Sequence, residues 1–175
     1  MSLVLHPKHR RFLWLDQGIV GFAINLGINY GIARVIFGGL DMVPASGDPS
    51  MATDTLVTAF VLPFLVALIV GWVTRAQVAQ DRLPLPDWGR EDLALLARLP
   101  DHTGRRALLL GAVGVLVFGV PLSWLLAELY PQGMDPGSWC WLKGVIAGVL
   151  AAWVGPLSAL ATLGDLGAQR PAAVQ

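Results

Sequence analysis

Six polar or charged residues of this sequence lie within or at the ends of long apolar stretches, where polar side chains are rare. They are Asn25, Asn29, Arg34, Asp54, Glu128 and Lys143. A charged side chain at the centre of a membrane costs about 2.5–3.5 kcal/mol on insertion scales, so such residues are placed there for a reason. They either join neighbouring helices or line the path of a polar solute, and the sequence leaves both interpretations open.

The two asparagines share one face of a predicted helix. At about 100° per residue, Gly21 falls on the same face as Asn25 and Asn29, whereas Gly27 and Gly31 fall on the opposite face. Intramembrane Asn often bonds to a neighbouring helix, and a Gly-x-x-x-Gly pair lets another backbone approach closely. We therefore expect this helix to be packed on both faces, to be the most buried helix of the protein, and to be joined to a neighbour through its amides.

The four charged residues of this set lie at one end of the predicted bundle, one in or next to each apolar segment. In the favoured interpretation Arg34 pairs with Asp54, and Lys143 pairs with Glu128, because ion pairs near helix ends lower the cost of burying charge. In the alternative, all four line a polar vestibule that leads to the two asparagines and marks a substrate path.

Four apolar segments position these residues. A helix that crosses the hydrocarbon needs about 20 mainly apolar residues, and segments 17–39, 55–74, 107–129 and 140–163 meet that requirement. Hydrophobic residues make up 55% of the 175 residues and charged residues only 14%, against about 45–50% and about 25% in soluble domains. The sequence predicts a single all-α integral membrane domain over residues 1–175, built as a four-transmembrane-helix bundle.

Basic residues are concentrated on one side of this bundle. Loops 41–54 and 130–139 contain no Lys or Arg, whereas the N-terminal segment, the central loop 75–106 and the C-terminal segment contain ten between them. These are Lys8, Arg10, Arg11, Arg75, Arg82, Arg90, Arg98, Arg105, Arg106 and Arg170. Loops rich in Lys and Arg stay in the cytoplasm. We therefore expect both termini and the central loop to be cytoplasmic, in a multi-pass membrane protein.

The central loop is predicted to contain a further element. Its stretch DWGREDLALLARL (87–99) places Leu93, Leu96 and Leu99 near helical spacing. We expect a short amphipathic helix on the cytoplasmic membrane surface, with Trp88 at the level of the headgroups. The alternative is a solvated helix that only connects two spans.

Little in the sequence points to catalysis or to a cofactor. Twelve Lys and Arg balance twelve Asp and Glu, so charge gives no support for a nucleic-acid partner. None of the three histidines lies in a predicted span, which excludes a haem held there by two histidines. We expect no enzyme, no cofactor and no metal. A lipid-modifying enzyme that uses Asp54 or Glu128 is the weaker alternative.

The segments DQGIVGFAINLGINYGIA (16–33) and SMATDTLVTAFVLP (50–63) resemble small bacterial inner-membrane proteins that are labelled permease-like. The resemblance covers the first hairpin and implies four helices and a bacterial inner membrane. Together with the asparagine stripe beneath the charges, it favours a permease-like transport component. The alternative is a non-catalytic accessory or scaffold subunit of a larger membrane complex. In both cases we expect the bilayer, and either a homo-oligomer or a larger membrane complex, as the surroundings of the chain.

Overall fold

Four long helices account for most of the chain. The structure, a computed structural model, describes residues 5–169. Within that range the long helices are α1 (Pro7–Phe37), α2 (Met51–Ala79), α3 (Thr103–Leu129) and α4 (Pro136–Ala168), and there is no strand. All four are long and apolar enough to cross a membrane, which confirms the predicted all-α architecture with four such helices. Each begins before its predicted segment.

α2 and α4 begin before their predicted apolar segments because a capping residue outside each segment starts the helix. Ser50 Oγ accepts a hydrogen bond of 3.2 Å from the Thr53 amide at the start of α2. Asp135 Oδ1 accepts one of 3.0 Å from the Ser138 amide at the start of α4. Both bonds satisfy amides that a helix leaves unpaired in its first turn, so the helix begins at the cap rather than at the first apolar residue.

Two of the helices contain π-helical segments. In α1 the π-helical residues Phe12–Val20 lie between α-helical segments Pro7–Arg11 and Gly21–Phe37. In α3 the π-helical residues are Val115–Gly119, between α-helical segments Thr103–Gly114 and Val120–Leu129. The segment in α3 directly precedes Pro121, whose missing N–H and bulky ring disturb the preceding turn of a helix.

The helices alternate in direction, which gives the bundle two distinct ends. At one end, here named the loop end, the connections 38–50 and 130–135 meet, and Val43 and Met134 exchange backbone hydrogen bonds of 2.8 and 3.0 Å. At the other end, the termini end, His9 Nε2 donates to the Pro84 carbonyl oxygen at 2.8 Å. The last turn of α4 also lies there, where Gly167 packs against the Trp88 backbone.

The main helix contacts run in the order α1, α4, α2, α3, so α4 and α2 are the inner helices. Half of the most apolar stretch of α4 is buried, against 6% for α1, and the expectation that the first helix is the most buried is wrong. The reason is the location of the close backbone approaches. Gly144 and Gly148 of α4 receive the backbone of α1 at Leu26 and Phe22. A Cβ atom at either glycine would lie about 3 Å from that neighbour.

The central connection is folded onto the bundle rather than forming one amphipathic helix. It contains a turn at Arg90–Asp92 and a one-turn helix at Ala94–Ala97, so the predicted helix over 87–99 is wrong in extent. The Arg90 guanidinium donates to the carbonyl oxygens of Leu96, Ala97 and Leu99, which curls the segment around this side chain. Trp88 is only 7% exposed and packs with Leu96 against α4, so protein covers its side chain, and its predicted depth at the level of the headgroups stays a prediction.

Candidate functional site

A groove of about 550 Å³ runs between α1 and α2, with α4 as its floor. This volume lies within the range of about 300–1,000 Å³ that is usual for small-molecule sites. The rim on α1 is formed by Ile24, Ile28, Ile32 and Ile36. The rim on α2 is formed by Val57, Val61, Leu65 and Ile69. These eight side chains are 41–57% exposed, so the groove opens on the outer surface of the bundle.

Polar side chains lie along this groove from one end of the bundle to the other. They are Asp16, Gln17, Asn25 and Asn29 of α1, Asp54 and Thr58 of α2, and Lys143 of α4. The structure therefore brings together both predicted asparagines and two of the four predicted end charges. The sequence interpretation omitted Asp16 and Gln17 as site residues, although Gln17 begins the first apolar segment and shares a helical face with Gly21 and Asn25.

A buried ion pair closes the loop end of the groove. Lys143 Nζ donates to Asp54 Oδ1, and the two side chains are 5% and 11% exposed. Asp54 stands in the first turn of α2, where the helix dipole favours a carboxylate. The indole N–H of Trp139 faces the Asp54 carboxylate. Within residues 5–169, neither this N–H nor the second carboxylate oxygen of Asp54 has any other hydrogen-bond partner.

The predicted pairing of the charges is wrong. Lys143 pairs with Asp54, so neither Arg34–Asp54 nor Lys143–Glu128 forms within the described residues. The reason is the order of the helices: α4 lies between α1 and α2, so its lysine reaches the aspartate of α2. Arg34 and Glu128 are exposed and do not line the groove, so the predicted vestibule of four charges contains only two of them.

The two asparagines are bonded to their own helix. Asn25 Nδ2 donates to the Gly21 carbonyl oxygen at 2.9 Å, and Asn29 Nδ2 donates to the Asn25 carbonyl oxygen at 3.0 Å. No hydrogen bond from another helix reaches either amide in the part of the chain that the structure describes, so the expectation that they join α1 to a neighbour is wrong. Both side chains line the groove, and no hydrogen bond to either amide oxygen forms within the described residues.

The three glycines predicted for helix packing divide between the two faces of α1. Gly21 lines the groove, where a Cβ atom would approach only the Asp16 carbonyl oxygen, at 3.9 Å. Gly27 and Gly31 lie on the other face, and a Cβ atom there would meet nothing within 4 Å. Neither therefore packs against another helix of the described chain. The small-residue face is exposed in the single chain, and its association with another chain stays a prediction.

A second charged cluster lies at the termini end, around Asp165 of α4. Arg106 Nη2 donates to Asp165 Oδ2 at 2.9 Å, and both residues are buried. Arg75 and Arg90 place further guanidinium nitrogens 3.9 and 3.6 Å from the same carboxylate. The sequence interpretation used these arginines only for orientation and missed the aspartate. The available signal was a single acidic residue in the otherwise apolar C-terminal half of α4.

Comparisons of the chain with family models, with curated proteins and with solved structures returned no match. We therefore infer function from the geometry and chemistry of the groove and of the charged groups at its ends.

Proposed function

We propose that this protein is a permease-like transport component of a bacterial inner membrane, and that the groove between α1 and α2 is its path. The observation that supports the proposal is the polar line along the groove, in which Asn25 and Asn29 connect Asp16 at one end with the Asp54–Lys143 pair at the other. Polar residues inside membrane-spanning segments commonly mark the paths of substrates and ions.

The depth of the asparagines strengthens this argument. At 1.5 Å per residue, Asn29 lies about 12 Å and Asn25 about 18 Å along α1 from Phe37. The hydrocarbon core of a bilayer is about 30 Å thick, so both amides lie at the depth of lipid chains. A side chain that only holds α1 in place would bond to α4, whereas these amides bond within α1 and leave their oxygens for a ligand.

The π-helical segment of α1 is a second support. It covers Phe12–Val20 and contains Asp16 and Gln17, the two polar residues at the termini end of the groove. A π-helical turn changes the direction in which side chains leave a helix, and such turns are frequent at functional sites. Here the segment brings a carboxylate and an amide into the groove that also contains the asparagines.

The direction of the path follows from the distribution of basic residues. The termini end contains the arginines of the central connection and of the N-terminal segment, so by the positive-inside rule it faces the cytoplasm. Asp54 and Lys143 then lie toward the outer side of the membrane, and Asp16 lies toward the cytoplasm. The path connects the two.

A second candidate function is an accessory or scaffold subunit of a larger membrane complex. It is favoured by the exposed face of α1 that contains Gly27, Gly31 and the 86% exposed Val35. A helix face with small residues and little covering is suited to contact with another transmembrane helix. Purification in mild detergent distinguishes the two functions. A subunit of a complex should retain partner chains, whereas a self-sufficient transport component should transport its substrate without them.

Water access to the groove tests the proposed path. In a Cys140→Ser background, Asn25→Cys and Gly27→Cys place thiols at similar depth on opposite faces of α1. We expect a membrane-impermeant thiol reagent to modify Asn25→Cys in reconstituted vesicles and to leave Gly27→Cys unmodified. Equal protection of both thiols would contradict the proposal, because a transport path for a polar group must admit water.

A further inference from the structure

The groove lacks the wall that a pore for a water-soluble solute needs. The main helix contacts of α1 are with α4, and those of α2 are with α3 and α4. Because α1 and α2 make few contacts with each other, the groove stays open along its length between the two aliphatic rims. The rim residues, such as Ile28 and Val61, are about half exposed. In a membrane this opening faces lipid chains, so anything in the groove also touches the hydrocarbon of the bilayer.

The distribution of polar and apolar groups fits a molecule that is polar at one end only. The rims present aliphatic side chains toward the bilayer, whereas the groove contains Asn25, Asn29 and the Asp54–Lys143 pair. A lipid is complementary to both surfaces. Its headgroup can contact the polar residues, while its chains extend between the aliphatic rims. A cavity of about 550 Å³ is too small for a whole two-chain lipid, so the chains remain in the bilayer while the headgroup occupies the groove.

The charged groups at the loop end determine which class of lipid headgroup the groove can bind. Lys143 and Asp54 are the charged groups that line the groove there, and they sum to zero. A zwitterionic headgroup can bond its phosphate to the lysine and its ammonium to the aspartate, which exchanges one ion pair for two. An anionic headgroup would satisfy the lysine but leave the aspartate as a buried unpaired charge, which is strongly unfavourable.

We infer that the cargo of the groove is a zwitterionic phospholipid, whose headgroup moves between the two membrane leaflets along Asn25 and Asn29 while its acyl chains extend between the rims into the bilayer. The inference rests on the proposed function, because it uses the same groove as the path. The amides supply neutral hydrogen-bonding groups at the depth where the headgroup has left bulk water. The exchange is passive and runs in both directions.

Exchange between leaflets tests the inference directly. The full chain is reconstituted into phosphatidylcholine vesicles that contain either phosphatidylethanolamine or phosphatidylglycerol labelled on an acyl chain, and dithionite bleaches the label that reaches the outer leaflet. We expect the chain to speed exchange of the phosphatidylethanolamine probe and to act at least about tenfold less on the anionic probe, the ratio expected from one unpaired polar contact in the barrier. Equal rates, or faster exchange of the anionic probe, would overturn the inference.

Two sets of variants locate the exchange. Asn25→Leu with Asn29→Leu should slow exchange roughly tenfold, because the headgroup loses its hydrogen-bonding groups at mid-depth. The matched control, Gly27→Leu with Gly31→Leu, adds the same residues to the opposite face of α1 and should leave the rate unchanged. If the control slows exchange as much as the asparagine variant, the groove is not the route.

Failure of this inference is distinguishable from failure of the proposed path. If neither lipid probe moves but Asn25→Cys is modified from water, the cargo is not a phospholipid and the path stands. If neither lipid moves and Asn25→Cys is protected, both proposals are wrong.

Discussion

Lys143 of α4 forms a buried ion pair with Asp54 of α2. The two helices are neighbours in space but belong to different hairpins of the chain. The pair joins the two halves of the chain at the loop end, because α2 belongs to the first hairpin and α4 to the second. It also closes one end of the groove. One contact thus stabilises the arrangement of the helices and supplies both charges that a headgroup would meet.

Breaking this pair from one side should be strongly destabilising. We expect Lys143→Met and Asp54→Asn each to lower the free energy of unfolding by about 3–5 kcal/mol, because each leaves an uncompensated polar or charged partner in the bundle. The double variant should recover most of that loss. Denaturant titrations in detergent measure the free energy of unfolding of all three variants. The control is Glu128→Gln at an exposed position, which should change that free energy by no more than about 0.5 kcal/mol. Losses that simply add in the double variant would show that the two side chains act independently.

Arg106 and Arg105 offer a matched comparison at the termini end. Arg106 is buried against Asp165, whereas its neighbour in sequence is exposed. We expect Arg106→Leu to lower the free energy of unfolding by about 3–5 kcal/mol, since it takes the closest guanidinium away from a buried carboxylate. Arg105→Leu should change it by no more than about 0.5 kcal/mol. Similar values for both variants in a thermal or denaturant titration would contradict a structural role for the cluster.

The contact between α1 and α4 can be tested by introducing isoleucine at one glycine in the contact and, as a control, at one glycine outside it. Gly144→Ile adds a side chain about 3 Å from the Leu26 backbone, whereas Gly27→Ile adds the same side chain to open space. Overpacking costs about 1–3 kcal/mol, so the first variant should lose stability relative to the second. Size-exclusion chromatography of the Gly27→Ile protein also reports on association, since loss of an oligomer would show that this face contacts another chain.

Most of what could be predicted from the sequence concerns features that many residues determine together. The four helices were predicted correctly because each depends on the sum of about 20 apolar side chains. The division of α1 into a face with Asn25 and Asn29 and a face with Gly27 and Gly31 was also correct, because it follows from helical periodicity alone.

The errors concern which elements meet. Whether Asp54 pairs with Arg34 or with Lys143 depends on the order of the helices around α4, and no local pattern determines that order. The central connection was mispredicted for a related reason. Leu93, Leu96 and Leu99 have helical spacing, but the Arg90 side chain takes up backbone carbonyl groups that a continuous helix would have used. A contact between side chain and backbone thus overrode the spacing.

The start of α4 should depend on pH through Asp135. Hydrogen bonds from Ser138 hold the pKa of this exposed carboxyl below its usual range. A carboxyl whose pKa is lowered by folding contributes stability above the unfolded pKa of about 3.9, and that contribution is lost as the pH falls through the lower folded value. We expect Asp135→Asn to weaken this acid dependence of the melting temperature while keeping the cap, and Asp135→Ala to lower the melting temperature at neutral pH. An unchanged acid profile in Asp135→Asn would contradict the assignment.

The central claim is that one face of α1 lines a hydrated groove at the depth of lipid chains. A spin-label scan over residues 21–32, one position at a time in a Cys140→Ser background, measures it directly in vesicles. We expect access to a water-soluble nickel chelate to rise and fall with helical periodicity, with maxima at Gly21, Asn25 and Asn29. Access to oxygen should peak instead at Gly27 and Gly31. Maxima of chelate access at Gly27 and Gly31, or no access at any position, would contradict it.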